Sequence, residues 1–309
     1  MTRQIPALRF FSLLLAGVLV QAVPVLHAQA PSQPMNYDGA PGGVRLLEEG
    51  QPVAMIHPTV EAMHQFREAQ GREAQVHEAH GRPGGGGTKN LAYRGGTGVV
   101  GVETAPQIYL VFWGSQWTNN DPSGEAGILQ SFLSGTGGSS WQNSVVQYCQ
   151  GVASGTVFCN GAGTAAGNQA GSFINFWYDN TSAAPSHPSQ SQLASEAVRA
   201  AQNFGNNSTI NANAQYVIAT SQGNNSSGFG TQYCAWHSST SSSAGTLAYT
   251  NLPYITDAGA SCGANFNGLG SNAGITIVEG HEMAETITDP FPNTGWLDAN
   301  GEENGDKCA

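Results

Sequence analysis

The sequence predicts an α/β fold, a single core domain in which a mixed sheet is flanked by helices and an HExxE helix lies near the C-terminus. Three observations carry that expectation. Segments 107–113 and 215–220 are short apolar runs rich in β-branched and aromatic residues, strand-like in length and composition. Segments 124–133 and 190–203 place their apolar residues at helical spacing. Strand, helix, strand, helix and strand therefore follow one another, an order that builds a sheet with helices packed against it.

In chain order, 60–80 is helix-patterned, 107–113 is the first core strand and 124–133 the first core helix. The aromatic stretch 172–178 reads as a strand, 190–203 as a helix and 215–220 as a strand. Extended segments follow between 232 and 255. The last element, 275–289, is helical, with Ser271 or Asn272 placed to cap its start and Pro290 to stop it.

That last helix carries the chemistry. It contains His281-Glu282-Met283-Ala284-Glu285, and at 3.6 residues per turn His281 and Glu285 stand on one face, with Glu282 about 100° round from His281. In the HExxH zinc pattern the two histidines bind metal and the intervening Glu takes a proton from metal-bound water. Here Glu285 replaces the second His, which keeps zinc feasible and admits calcium as the alternative. An apolar stripe of Ile277, Ala284 and Ile287 is expected to face the core while the polar trio faces a cleft. Gly280, costly inside a helix, implies a close approach beside His281.

An acidic loop follows, with Glu302-Glu303-Asn304-Gly305-Asp306-Lys307-Cys308 at its end. The third metal ligand is expected there, from Glu303 or Asp306, which lie 22 and 25 residues beyond His281. Asp306 is preferred because Cys308 can anchor the backbone beside it. A calcium-binding or merely solvated loop is the competing reading. His237, in Tyr233-Cys234-Ala235-Trp236-His237, is either a ligand, an oxyanion holder or a satisfied core histidine. Trp177, Tyr178 and Trp236 are candidates for a substrate groove, against the ordinary alternative of core packing, and His187 reads as a loop residue.

The N-terminus places the protein outside the cell. Arg3 and Arg9 precede an apolar run at 10–20 and small residues that offer cleavage after Ala28 or Ala30, so residues 1–28 read as a signal peptide, too short in its apolar part to anchor in a bilayer. Residues 29–94 read as a pro-segment or leader ending in the Gly84-Gly85-Gly86-Gly87 hinge, and 95–309 as the core. The leader holds seven acids and six bases from 31 to 94, whereas beyond it only Arg199 and Lys307 face fourteen acids. So few cations exclude nucleic acid as a partner. So few ionisable groups also imply tolerance of acid. Five cysteines in an exported chain suggest disulfides, Cys149 with Cys159 and Cys234 with Cys262, leaving Cys308 to pair beyond a C-terminally incomplete end or to stay a free thiol.

From about residue 91 to 308 the chain resembles the Exordium (phosphate-induced protein) family of plant secreted proteins and related bacterial ones. The matching stretches are Tyr109-Leu110-Val111-Phe112-Trp113-Gly114, Tyr233-Cys234-Ala235-Trp236-His237, the HExxE segment followed by Thr288-Asp289-Pro290, and 303–308. Asp289 stands where the plant members often have Asn. The resemblance implies an extracellular protein and hands over no reaction.

No CxxC pair or phosphate loop is present. The residues therefore imply a secreted zinc endopeptidase acting on protein or peptide, with His281, Glu285 and Asp306 or Glu303 on the metal, Glu282 activating water and His237 steadying the oxyanion. Two alternatives stay open. One is a non-catalytic extracellular binding protein, for cell wall or glycan, with structural calcium; the other is a metal-free acid hydrolase using paired carboxylates.

Overall fold

A period of two along 107–113 determines how the sheet is covered. In the computed structural model, which describes residues 42–79, 90–96 and 98–307, Ile108, Leu110 and Phe112 pack into one core while Tyr109, Val111 and Trp113 pack into a second on the opposite face. Both faces of the strand are buried, which is why its sequence is a continuous apolar run rather than an alternating one.

The strands are β1 (Gly43–Arg45), β2 (Ala54–Pro58), β3 (Ala92–Tyr93), β4 (Gln107–Trp113), β5 (Cys149–Gln150), β6 (Thr164–Ala165), β7 (Phe173–Asp179), β8 (Ala214–Thr220), β9 (Tyr233–Ser242), β10 (Gly245–Leu252) and β11 (Trp296–Leu297). The helices are α1 (Val60–Ala79), α2 (Glu125–Thr136), α3 (Gln190–Phe204), α4 (Ser208–Asn211) and α5 (Ala273–Thr288). Seven strands form one mixed sheet in the order β1-β2-β9-β10-β8-β4-β7. The run β10, β8, β4, β7 is parallel, and β9, β2 and β1 are added antiparallel. Helix α3, capped by a reciprocal Ser189–Gln192 box, covers the face of Tyr216 and Ile218. Helices α2 and α5 cover the other face through Leu129, Leu133, Val278 and Met283.

The expected α/β architecture is what the chain adopts, and both expected disulfides are present, Cys149–Cys159 and Cys234–Cys262. Cys308, the signal peptide and the Gly84–Gly87 hinge lie outside the described residues. No helix among the described residues is long and apolar enough to cross a membrane.

Three expectations need correction. Residues 43–45 and 54–58, assigned to the leader, are β1 and β2 of the main sheet, with Ala54 and Met55 at 0% exposure. Asn272 occupies the N-cap position of α5 without capping it: its Oδ1 accepts from the Ser271 hydroxyl at 3.2 Å while its amide donates to the Ser123 carbonyl. The apolar stripe of α5 also divides: Ile287 is buried, but Ile277 and Ala284 border an open cleft, while Glu282 and Glu285 face inward. The inward face of α5 meets the polar face of β9 and β2, not a purely apolar layer.

Candidate metal centre

Two imidazoles on the sheet are brought under α5 by strand register. In the β2–β9 ladder Met55 lies opposite His237 and His57 opposite Ala235. Side chains two apart in a strand share a face. Ala235 belongs to the core under α5, so His57 and His237 lie on that face too.

Helix α5 contributes His281 and Glu285, one turn apart as predicted. His281 Nε2 stands 2.8 Å from Glu285 Oε1 and 3.8 Å from Asp306 Oδ1. The nitrogen nonetheless has no hydrogen-bond partner: Asp306 Oδ1 is beyond hydrogen-bond reach, and Glu285 Oε1, though close, does not form one. Asp306 is held by its own backbone N–H, which donates to Glu285 Oε1 at 3.2 Å, and by Oδ2, which accepts from the Glu303 N–H at 3.0 Å. Asn304 fastens the loop to α5 by donating to the Ala284 carbonyl and to Thr288 Oγ1. Gly305 passes so close that a Cβ there would stand 2.7 Å from Glu285 Oε1 and 2.9 Å from His281 Nδ1.

A second group lies deeper. His237 Nε2 donates to the Asp289 carbonyl at 3.2 Å, which leaves Nδ1 facing Glu282 Oε2 at 3.3 Å and Glu285 Oε2 at 3.9 Å. Glu303 Oε2 is 3.7 Å from His237 Nε2, and no N–H or hydroxyl donor reaches either Glu303 oxygen. Glu279, one turn before Glu282, is a further fully buried acid without a donor. Asp289 has a structural task instead, accepting backbone N–H groups of Asn293, Thr294 and Gly295.

Burial displaces these groups towards neutrality. It pushes Glu285 up to about 8, and drives Glu282, Glu303 and Asp306 well above the carboxylate range, with Glu285 as the next cause for all three. It depresses His237 and His281 to about 3, and holds His57 well below its ordinary value, His281 adding to the effect. Acids that resist ionising and imidazoles that resist protonation form an acceptor-rich cluster once the acid protons leave. A bound cation would reverse every carboxyl shift. Among the described residues two triads meet the spacing for an ion, His281 with Glu285 and Asp306, and His237 with Glu282 and Glu285; in each the ligand atoms lie within 4.8 Å of one another. The residues thus fit a metal, and one nitrogen per triad suits zinc better than calcium, which takes oxygen ligands.

Above the first triad opens a cleft of about 610 Å³, bordered by His57, His281, Ile277, Gly280 and Gly305 and by Phe132, Trp141 and Tyr148. Gly280 is explained by that wall: a Cβ there would approach Phe132 to 3.2 Å and Trp141 to 3.3 Å. The expected groove aromatics are elsewhere. Trp236 is 1% exposed in the core, Trp177 lies under Arg199, and Tyr178 is half exposed on β7 at the far edge of the sheet. His187 is the exposed loop residue expected, bonded to the Asn225 carbonyl. Of the predicted site residues, His281, Glu285, Asp306, Glu303, Glu282 and His237 converge, but Glu282 and His237 are fully buried and do not border the cleft.

His57 was not anticipated. Its ring stacks on that of His281 with centroids 3.8 Å apart and planes 17° from parallel. Ala54-Met55-Ile56-His57 between Pro52 and Pro58 is a short core-type strand signal, visible once the segment is not set aside as leader. No family model, curated protein or solved structure matches the chain.

Proposed function

We propose that the protein is an exported zinc-dependent peptide hydrolase whose catalytic ion is held by His281 Nε2, Glu285 Oε1 and Asp306 Oδ1 beside the aromatic cleft. The observation that carries this reading is the convergence of those three acceptor atoms, with no donor side chain among them, at the edge of the cleft. An ion with three protein ligands and an open position supplies an acidified water and a polarised carbonyl. Phe132, Trp141, Tyr148 and Ile277 offer an apolar wall for substrate side chains. His57 is the imidazole that borders the cleft beside His281, and it takes the proton-handling role that the pattern assigns to Glu282. Glu282 sits behind, against His237, and orders the deeper half of the site.

The test is zinc content and casein cleavage at acid and neutral pH for the wild type and Glu285→Gln. Bound zinc with cleavage that the variant loses supports the reading. Zinc without cleavage by the wild type would favour the extracellular binding protein, and cleavage after complete metal removal the carboxyl hydrolase.

A further inference from the structure

We infer that this chain binds a second divalent cation, held by His237 Nδ1, Glu282 Oε2 and Glu285 Oε2, with Glu285 bridging it to the ion at His281. The inference rests on the proposed zinc site and extends it. The two oxygens of one carboxylate point opposite ways: Oε1 lies 2.8 Å from His281 Nε2, and Oε2 lies 3.9 Å from His237 Nδ1. A carboxylate divided between two imidazoles in this manner has the geometry of a bridging ligand, which sets paired ions about 3.5–4 Å apart.

The acceptor count makes the same point. His237 Nε2 gives its proton to the Asp289 carbonyl, so Nδ1 presents a lone pair towards Glu282 and Glu285. Glu282 Oε1 is buried without any partner, and the three ligating residues are at most 1% exposed. Buried acceptors that face one another are expensive unless a cation or protons stand between them.

Charge favours the second ion. Glu282, Glu285, Glu303 and Asp306 are all buried in this cluster, with Glu279 buried beside Glu282, so one divalent cation does not balance the carboxylates once they ionise, and a second removes two more of the buried charges. The cation nearest in sequence, Lys307, is engaged 2.5 Å from both Asp298 and Glu302. The deeper ion is enclosed by protein, as in structural sites, while the ion at His281 borders the cleft. Its task is to fix the Glu285 carboxylate that the outer ion shares.

The experiment is titration of chelator-treated full-length protein with zinc alone, read by calorimetry and by metal analysis after dialysis, for the wild type, His281→Ala, Glu282→Gln and Glu285→Gln. Two zinc ions per wild-type chain are expected, one of them lost or weakened at least tenfold in Glu282→Gln, the other in His281→Ala, and both weakened in Glu285→Gln. The wild-type stoichiometry stands whether or not a variant folds. A single wild-type ion that His281→Ala removes and Glu282→Gln leaves intact overturns the second site and spares the hydrolase reading. No bound zinc overturns both, and two ions of which Glu285→Gln weakens only one overturns the bridge.

Discussion

The ring of His57, from a strand near the beginning of the described chain, lies flat on that of His281, a residue of the penultimate element, at a centroid separation of 3.8 Å. Neither ring offers a hydrogen bond to the other in this arrangement, so the contact fixes position, holding His281 between the β2 side chain and the acidic loop. If His57 also handles protons at the cleft, His57→Ala lowers kcat/KM for a peptide substrate by roughly 10²-fold or more and leaves bound zinc in place. Unchanged kinetics in a folded, zinc-loaded variant would end that assignment.

Gly305 tests the metal geometry without replacing a ligand. A methyl group there meets Glu285 Oε1 and the His281 ring at under 3 Å, so Gly305→Ala should weaken zinc binding by about 10- to 100-fold, the range seen when groups that orient ligands are disturbed. The thermal transition of the metal-free protein should shift by only a few degrees. Wild-type zinc affinity in the variant would show that the loop is not held against the site.

Metal-free stability should fall as pH rises. Burial pushes Glu103 and Glu125, which are not ligands, from an ordinary 4.5 to about 8. Between those values the folded protein keeps protons that the unfolded chain has released, so their stabilising effect is complete below about 4.5 and is lost as pH climbs through 8. The Tm of chelator-treated protein is therefore higher at pH 5 than at pH 8.5. Glu103→Gln, which preserves the amide-bonded neighbourhood of Gln215, should raise Tm at the alkaline end by roughly 2–4 °C, the equivalent of about 1 kcal/mol, and change little at pH 5. A melting temperature that climbs with pH would contradict this account.

Strand β2 is predicted to be indispensable to the core. Its removal uncovers one edge of β9, which carries His237, and strips Ala54, Met55 and Ile56 from the cores. An unpaired edge beside exposed apolar surface favours aggregation. A chain beginning at residue 90 should show no cooperative unfolding transition by circular dichroism. Cooperative melting at the full-length temperature would mean that β1 and β2 are ornamental.

Much of this fold was legible because its helix-covered strands announce themselves. The runs at 107–113 and 215–220 match β4 and β8 within a residue at each end, and helix α3 carries its own start signal at Ser189. The HExxE spacing placed His281 and Glu285 together because helical pitch alone does so. Which side of α5 would face solvent was misread, since polarity suggested the acids outward and the aliphatic Ile277 inward, and the reverse is found. Pattern cannot foresee that an inward face will meet two histidines of a sheet instead of leucines.

By itself the sequence determined the α/β class, the disulfide pairs and the helical half of the site, because each depends on local chemistry or on short spacings. Only the tertiary structure decided that the supposed leader supplies strands β1 and β2, that His57 and His237 arrive beneath α5, and that Glu285 is shared by two triads. Those relations join residues from a few tens to more than two hundred positions apart, and what sets them is strand register and the buried packing of α5 on the sheet, quantities that no local pattern encodes.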